Sequence, residues 1–232
     1  MTIQTVEELA ALIDHSLLSS TAVESDIRRL CQEAIEHRFA AVSIAPRWVP
    51  LAAKLLRGTG VRTDTVVGFP LGAVSPRLKA IEAEEVIMNG ADEVDMVADL
   101  AAILQGEEET LLKDIESVRR VCRRVSPPVV LKVIIESAAL SEEQIVFACR
   151  VGQQAGADYL KTSTGMHKAG GAAAGHVRLM AQAAPRCKIK AAGGIRTAEQ
   201  ALAMIEAGAS RLGSSASVQI LEGFASAAGQ KM

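Results

Sequence analysis

The chain has 232 residues and a net charge of −2, with 49% hydrophobic, 22% charged and only 3% aromatic residues. This length and hydrophobic content suit one domain with a sizeable core. The nearly neutral charge offers no basic surface for nucleic acid or membrane, and the few aromatic residues argue against a surface that stacks bases.

The first residues and the cysteines bear on the compartment. The segment MTIQTVEELAALIDH has acidic residues where a secretory signal would have basic ones. No apolar run approaches the ~18 residues needed to cross a bilayer. The cysteines lie far apart and form no CxxC pair, which argues against a zinc site, and the lack of a signal-like segment argues against disulfides. We therefore expect a soluble, reduced, cytoplasmic protein. The four cysteines are Cys31, Cys122, Cys149 and Cys187.

Short apolar runs alternate with helix-length amphipathic segments along the whole chain, after a short predicted helix at about residues 5–12. Ser75, Ser141 and Thr197 stand at predicted helix N-caps. The runs, in chain order, are ALIDHSLL (11–18, the weakest), AAVSIA (40–45), DTVVGF (64–69), EVDMVA (93–98), VVLKVII (129–135), DYLKTS (158–163), CKIKAA (187–192) and SRLGSS (210–215).

This alternation predicts parallel strands joined by right-handed crossovers. Eight units in 232 residues average 29 residues each, which suits a single-domain (β/α)8 barrel spanning residues 1–232. A doubly wound sheet is the alternative, but that fold usually has a glycine-rich phosphate turn after its first strand, and this sequence has none there.

A faint repeat sets the register of three strands. NGADEVD (89–95), AGADYLK (155–161) and AGASRLG (207–213) each combine a glycine typical of a left-handed helix C-cap with the start of a strand. Asp95 and Lys161 occupy the same place in this repeat. Because side chains alternate along a strand, both are predicted to point into the barrel, with Val94, Met96 and Leu160 facing the helices.

Three lysines, Lys132, Lys161 and Lys190, lie inside strand-like runs. One strand lysine alone is usually at an exposed edge, but three in a barrel without edges favour an interior cluster. Mutual repulsion and loss of hydration are expected to lower the pKa of all three. A lysine that is neutral can form a Schiff base with a carbonyl. The spacing does not choose between Lys161 and Lys190, and Asp95 fits either a proton relay or a plain counter-ion.

Two strand ends suggest an anion site. AAGGIRT (191–197) places Gly193 and Gly194 after one strand, and LGSSAS (212–217) places Ser214 and Ser215 after the next. Loops after the last two strands of such barrels often bind phosphate with backbone N–H groups. Arg196 could assist, although a surface salt bridge suits it equally well.

The histidine of the weakest run has two readings. His15 follows Asp14 directly, so the two could form a charge-tuned pair near the barrel mouth. A histidine that is simply hydrogen-bonded within a strand is the more common arrangement. The sequence has no Ser-His-Asp order and no HExxH motif.

Seven segments together resemble the deoxyribose-phosphate aldolase family, from about residue 12 to residue 216. They are LIDHSLL, VVGFPLG, GADEVDMV, LKVIIE, YLKTSTG, KIKAAGGIRT and RLGSS. The pair KTSTG and K-x-x-GGIRT is the most specific part. The resemblance implies a metal-free, cofactor-free class I aldolase on a (β/α)8 barrel. It implies that Lys161 forms the Schiff base, that Lys190 lowers the pKa of Lys161, and that Asp95 relays protons.

The same resemblance implies how substrate is held. Phosphate contacts are expected at Gly165, Gly193, Gly194 and Ser215, and a polar substrate contact at Ser16. The implied reaction is reversible cleavage of 2-deoxy-D-ribose 5-phosphate to acetaldehyde and D-glyceraldehyde 3-phosphate. The implied partners are the phosphorylated sugar and aldehydes, with no nucleic acid and no membrane, and a homodimer or homotetramer fits an exposed helix face. The alternatives are a Schiff-base or transaldolase-like aldolase for another sugar phosphate, and a non-catalytic sugar-phosphate binder.

Five positions depart from the family pattern, and none is one of the two implied catalytic lysines or Asp95. Ser43 stands where cysteine is usual and Asp99 where asparagine is usual, and three alanines replace polar residues. These departures bear on phosphate affinity and acceptor preference. The three alanines are Ala45, Ala173 and Ala216.

Overall fold

The computed structural model describes residues 3–229, and in it eight parallel strands form a closed barrel in sequence order. Strand β1 pairs with β8, so the sheet has no free edge and the doubly wound alternative is excluded. The single-domain (β/α)8 barrel prediction is confirmed. The strands are β1 Ile13–Leu17, β2 Ala41–Ile44, β3 Arg62–Val67, β4 Glu93–Val97, β5 Val130–Ile134, β6 Tyr159–Lys161, β7 Lys188–Ala192 and β8 Arg211–Ser214.

Helices surround the barrel, and a short one precedes the first strand. Two short 3-10 turns follow β2 and β5, at Pro46–Trp48 and Ser137–Ala139. Among the described residues the helices are α1 Val6–Ala10, α2 Glu24–His37, α3 Val49–Leu56, α4 Pro76–Met88, α5 Leu100–Gln105, α6 Glu108–Cys122, α7 Glu142–Gln154, α8 Ala174–Ala183, α9 Ala198–Glu206 and α10 Ser217–Gly229. No helix between residues 3 and 229 is both long and apolar enough to cross a membrane.

Local sequence signals begin these helices where predicted. The Ser75 hydroxyl accepts the backbone N–H of Leu78 at the start of α4. Ser141 and Thr197 each form a capping box with the glutamine three residues later, at the starts of α7 and α9. Side-chain oxygens here satisfy N–H groups that have no partner within the helix.

The glycines of the repeat have the predicted backbone. Gly90, Gly156 and Gly208 have φ values of 104°, 83° and 114°. In this region a residue with a Cβ is strained, so glycine allows each helix to end sharply and the next strand to begin.

The packed core lies between the barrel and its helices. Val94, Met96 and Leu160 belong to this apolar core, which confirms that they face the helix layer. The neighbouring positions in β4 and β6, Asp95 and Lys161, therefore point into the barrel, because successive side chains of a strand alternate between its faces. The barrel interior holds charged side chains where a buried apolar filling is the rule for this fold.

Candidate active site

A cavity of about 400 Å³ opens at the carboxyl ends of the strands, and Lys161 lies in its wall. This is the end of the barrel where active sites of this fold are built. All the residues predicted to contact substrate line the same cavity. They are Ser16 in β1, Gly165 after β6, Gly193 and Gly194 after β7, Ser214 at the end of β8 and Ser215 directly after it.

The three candidate catalytic residues lie together beneath this cavity. Lys161 Nζ is 2.7 Å from Asp95 Oδ2, and Lys190 Nζ is 2.7 Å from the same oxygen. Lys132 Nζ is 2.8 Å from the other carboxylate oxygen of Asp95. One carboxylate thus accepts hydrogen bonds from all three interior lysines, and the prediction that Asp95 and Lys161 point into the barrel is confirmed.

Strand register explains why these residues meet. Lys161 on β6 is aligned with Lys190 on β7, and Asp95 on β4 is aligned with Lys132 on β5. Aligned residues of neighbouring strands point to the same face, about 4.8 Å apart along the hydrogen-bonding direction. One lysine–lysine pair and one aspartate–lysine pair formed in this way meet across the narrow barrel.

Three interior carboxylates and one arginine were missed by the sequence reasoning. Lys132 Nζ is 2.8 Å from Asp64 Oδ1 and 2.6 Å from Glu93 Oε2. Lys190 Nζ is 2.5 Å from Asp14 Oδ2 and 3.1 Å from Asp64 Oδ2. The signal was available, since each carboxylate lies in a strand-like run where an apolar residue is expected.

Arg211 completes the cluster at its lower end. Its Nη1 atom is 2.6 Å from Asp14 Oδ1 and 3.2 Å from Glu93 Oε2. Arg62 reaches Glu93 from the solvent side with a side chain that is 53% exposed. Apart from that exposed arginine, the cluster has equal numbers of buried positive and negative side chains. The cations are Lys132, Lys161, Lys190 and Arg211, and the carboxylates are Asp14, Asp64, Glu93 and Asp95.

The cluster separates the lysines by pKa. Burial lowers the pKa of Lys161, and the nearby charge of Lys190 lowers it further, against the opposing effect of Asp95. Burial also opposes the charged form of Lys190, but the carboxylates of Asp14, Asp64 and Asp95 outweigh it and raise its pKa above the usual value. Lys161 is therefore the lysine that loses its proton more easily, and Lys190 remains a cation.

The expectation that the pKa values of all three lysines fall is wrong for two of them. Burial disfavours charge on Lys132, but Asp64, Asp95 and Glu93 raise its pKa well above the usual value. The carboxylates that lie between the ammonium groups come from distant strands and account for the difference. Lys161 escapes this effect because Asp95 is the only carboxylate among the described residues to which it forms a salt bridge.

Carboxylates in the cluster also differ from one another. Burial opposes ionisation of Asp95, but Lys132 and the other two lysines lower its pKa well below the usual value. Burial opposes ionisation of Asp14 as well, yet Lys190 and Lys132 lower its pKa to about 2. Burial and the charge of Asp95 raise the pKa of Asp64 to about 6. Asp64 is thus the interior carboxyl that most readily binds a proton.

Glycine loops form the side of the cavity opposite β4. Gly193 and Gly194 have φ values of 92° and 80°, which favour glycine. A Cβ on Gly193 would lie 3.0 Å from the Cα of Gly171 and 3.2 Å from that of Gly165, so the loops after β6 and β7 approach too closely for a side chain. Such backbone leaves N–H groups accessible to a bound anion.

Hydroxyl groups hold the neighbouring loop after β8. The Ser214 hydroxyl donates to the backbone oxygen of Ile195 and accepts the N–H of Ala216, which ties the β7 and β8 loops together. The hydroxyl of Ser16 donates to the backbone oxygen of Asp14. Ser215 is exposed in the cavity. Ser214 therefore shapes the loop with its side chain, whereas Ser215 is free to meet a ligand with its own.

His15 is a hydrogen-bonded strand histidine, as one of its two readings predicts. Its Nδ1 is 3.0 Å from Ser217 Oγ and its Nε2 is 2.8 Å from Glu33 Oε2. Burial lowers the pKa of His15, against the effect of Glu33. The ring links β1, α2 and the start of α10 and does not join Asp14, whose carboxylate points into the barrel.

The departures from the family pattern have structural consequences. Asp99 is the N-cap of α5, where its carboxylate accepts the N–H groups of Ala101 and Ala102. Ala173 leaves the start of α8 without a side-chain cap. Ser43 is buried, and its Oγ has no hydrogen-bond partner within residues 3–229. Nothing in the structure explains Ala45, and Ala216 lies in the turn before α10 with no side-chain hydroxyl.

Residues 9–227 match the model of the DeoC/LacD family aldolases. The chain is 49% identical over 222 residues to a protein of Deinococcus radiodurans named deoxyribose-phosphate aldolase, covering 95% of this chain and 99% of that one.

This chain belongs to the DeoC/LacD aldolase family.

Two solved structures agree with this assignment. A candidate deoxyribose-phosphate aldolase of Coccidioides immitis superposes with a TM-score of 0.91 at 38% identity, covering 96% of this chain and 87% of that one. A tetrameric deoxyribose phosphate aldolase of Aeropyrum pernix gives a TM-score of 0.89 at 32% identity, covering 96% and 93%. Within residues 3–229, no group of three or more His, Cys, Asp or Glu side chains is arranged to hold a metal ion.

Proposed function

We propose that this aldolase reversibly cleaves 2-deoxy-D-ribose 5-phosphate to acetaldehyde and D-glyceraldehyde 3-phosphate through a Schiff base on Lys161. One observation carries the proposal. Lys161 is the interior lysine whose pKa is lowered, and it also lines the cavity that the glycine loops enclose. An aldolase that forms an imine needs a neutral amine beside a polar cavity, and here the cavity has backbone N–H groups that can bind an anion. Relatives that carry this activity in their names match nearly the whole chain.

Lys161 begins the reaction as the nucleophile. Its neutral Nζ attacks the aldehyde carbon of the open-chain sugar and forms a carbinolamine, which loses water to give an iminium ion. The iminium withdraws electrons while the bond between C2 and C3 of the sugar breaks, and the C3 hydroxyl loses its proton as D-glyceraldehyde 3-phosphate leaves. The resulting enamine takes up a proton and is hydrolysed to acetaldehyde, which frees Lys161.

Asp95 and Lys190 move protons in this scheme. Asp95 Oδ2 is 2.7 Å from both Lys161 Nζ and Lys190 Nζ, so a proton can pass between the two amines through one carboxylate oxygen. Such transfers require hydrogen-bond reach, which these distances provide. Lys190 stays cationic, and its charge makes a second charge on Lys161 unfavourable.

The glycine and serine loops hold the phosphate in this proposal. Backbone N–H groups at Gly165, Gly193 and Gly194 and the side chain of Ser215 would bind it, and Ser16 would contact the sugar. Holding the phosphate fixes the position of the aldehyde carbon relative to Lys161, which reduces the entropic cost of the reaction.

Trapping with borohydride in the presence of acetaldehyde tests the mechanism. We expect a permanent two-carbon adduct on Lys161, located by peptide mass spectrometry. Absence of this adduct in the folded protein would overturn the proposal. Because the iminium is the electron sink, treatment with a metal chelator should leave turnover unchanged.

Substrate profiling separates the proposal from the nearest alternative. An aldolase specific for another phosphorylated sugar would release little acetaldehyde from 2-deoxy-D-ribose 5-phosphate. The alanines at positions 173 and 216 make the comparison of phosphorylated acceptor aldehydes the most informative part of this profile.

We propose further that the protein is cytoplasmic and forms a homodimer or homotetramer. Exposed apolar side chains on α4 and the preceding loop support an assembly, since Leu71 is 72% and Met88 82% exposed. Light scattering coupled to size-exclusion chromatography tests this. A monomer at micromolar concentration would contradict it.

A further inference from the structure

Charge balance among the fully buried groups of the barrel interior favours a proton on one carboxyl when Lys161 is neutral, because Arg62, which pairs with Glu93, is 53% exposed and screened by solvent. The buried cluster has four cations and four carboxylates when every group is ionised. Loss of the Lys161 proton to solvent would leave one excess negative charge in a site from which water is largely excluded. An uncompensated buried charge is costly, so a compensating proton is favoured.

We propose that Asp64 holds this proton while Lys161 is neutral and releases it when Lys161 becomes an iminium ion. The inference rests on the proposed Schiff-base function. Asp64 does not reach the cavity, so it is a positioning residue that acts through Lys190 and Asp95.

Hydrogen bonds connect Asp64 to Lys161 without a gap. Asp64 Oδ2 is 3.1 Å from Lys190 Nζ, and Lys190 Nζ is 2.7 Å from Asp95 Oδ2. Asp95 Oδ2 is in turn 2.7 Å from Lys161 Nζ. Lys190 can therefore take a proton from Asp64 while giving one to Asp95, and it is cationic before and after.

The balanced step is the dehydration of the carbinolamine. Neutral Lys161 and the aldehyde form a carbon–nitrogen bond, and the carbon–oxygen bond then breaks. The leaving hydroxyl takes the proton delivered through Asp95 and departs as water. An amine, a carbonyl and a protonated Asp64 thus become an iminium, a water molecule and ionised Asp64, and the interior stays neutral throughout.

Asp64 is the carboxyl best suited to store the proton. The other three interior carboxyls have pKa values below their usual ranges, because each is dominated by its cationic partners. The pKa of Asp64 is raised to about 6 by burial and by the charge of Asp95, against the effect of Lys132 and Lys190. When Lys161 is neutral, one nearby cation is lost, which increases the proton affinity of Asp64 further.

The strand on the other side of Asp64, β2, brings no charged group to it. Ser43 is aligned with Asp64 on the neighbouring strand, so the two side chains point to the same face. The Oγ of Ser43 is buried and makes no hydrogen bond to any residue between 3 and 229. The structure shows no hydrogen bond between Ser43 and Asp64, whose two carboxylate oxygens are bonded to Lys132 and Lys190. No charged group lies on β2, so the charges that face Asp64 are those of the cluster itself.

Infrared difference spectroscopy of the wild-type enzyme, with and without acetaldehyde at neutral pH, tests the proposal. We expect Schiff-base formation to remove the carbonyl stretch of one protonated carboxyl. The band should shift when the aspartates are isotopically labelled at the side-chain carboxyl carbon. It should be missing in Asp64→Asn and present in Asp114→Asn, the matched control, whose carboxyl is buried beside Lys79.

Borohydride trapping in the same samples separates the two proposals. An adduct on Lys161 without loss of a protonated-carboxyl band overturns the role of Asp64 and leaves the aldolase mechanism standing. Failure to trap Lys161 overturns both. If Asp64→Asn does not fold, a wild-type spectrum in which no protonated-carboxyl band is lost still overturns the proposal.

Discussion

Two buried lysines of this protein lie in different surroundings, although each forms a salt bridge with an aspartate. Lys79 of α4 is completely buried, with its Nζ 2.7 Å from Asp114 Oδ2 and 2.9 Å from the backbone oxygen of Val97. Lys161 is 3% exposed, and its Nζ is also 2.7 Å from an aspartate. Burial and a carboxylate partner are common to both, so neither of them defines the reactive amine.

The difference lies in what surrounds each pair. Asp114 serves one lysine, and its Oδ2 also accepts the backbone N–H of Asp99, so the pair ties α4 and α6 to the end of β4. Asp95 serves three lysines, and Lys161 faces an open cavity. Asp95 is the only carboxylate among the described residues that forms a salt bridge with Lys161, so burial lowers the pKa of Lys161, and the cavity lets a carbonyl approach it. Burial alone therefore does not define the nucleophile, which combines burial, a single carboxylate partner and access to the cavity.

Replacing each lysine by methionine gives the largest expected contrast. Lys161→Met should lower turnover by roughly four orders of magnitude or more, as removal of a covalent nucleophile does. Its stability should change little, because Asp95 keeps Lys132 and Lys190. Lys79→Met should keep wild-type turnover per folded molecule but lose about 3–5 kcal/mol of stability, since Asp114 is left unpaired.

Turnover with 2-deoxy-D-ribose 5-phosphate and urea unfolding of both variants provide the measurements. Loss of turnover in folded Lys79→Met, or its survival in Lys161→Met, would erase the distinction between the two sites.

The sequence predicts most of this fold because its signals are local. Alternation of runs, the caps at Ser75, Ser141 and Thr197, and the glycine of each repeat depend on near neighbours along the chain. The inward direction of Asp95 and Lys161 follows from the same repeat. Contacts between residues of distant strands cannot be predicted in this way, because no local sequence pattern indicates which strands face each other across the barrel.

The missed residues of the site illustrate that limit. Asp14 and Asp64 are 50 positions apart in sequence and both contact Lys190, which is 126 residues beyond Asp64. Without those contacts the pKa of Lys190 was expected to fall, and the structure shows that it rises. Which lysine is the nucleophile depends on this count of carboxylates, and the resemblance to a known family supplied a choice that spacing left open.

Neutralising each aspartate is the next test. Asp95→Asn should reduce turnover by roughly 10²–10⁴-fold, the usual contribution of a proton-transfer group. Asp114→Asn should leave turnover intact and lower stability, because Lys79 loses its carboxylate. A steady-state assay at saturating substrate, combined with thermal unfolding, measures both effects. Equal turnover losses in the two variants would mean that shared and unshared carboxylates act alike.

The pH dependence of stability tests the difference between Asp64 and the other carboxyls inside the barrel. The pKa of Asp64 is raised to about 6 in the folded state, so folded protein binds the proton more tightly than the unfolded chain. Stability from this group is present below its unfolded pKa and is lost as pH rises through about 6. Over this window the loss amounts to about 3 kcal/mol.

Asp64→Asn removes that titration. The free energy of unfolding of the variant, relative to wild type, should therefore increase between about pH 4 and pH 6. Urea titrations across this range measure it. A constant difference between variant and wild type would show that Asp64 is ionised throughout and that its environment resembles that of Asp14, whose pKa is lowered to about 2.

The smallest effect is expected for a substitution in the wall of the cavity. Ser215→Ala should raise KM for the phosphorylated sugar roughly tenfold, the effect of losing about 1.5 kcal/mol from one hydrogen bond to a charged group. Turnover at saturation should change little, and unphosphorylated 2-deoxyribose should be processed as by wild type. Ser226→Ala is the matched control, because that hydroxyl is exposed on α10 and bonds only to the backbone oxygen of Glu222 among the described residues. Equal KM changes for both sugars would place the phosphate away from the β8 loop, and access to Lys161 would then have to be explained from another wall of the cavity.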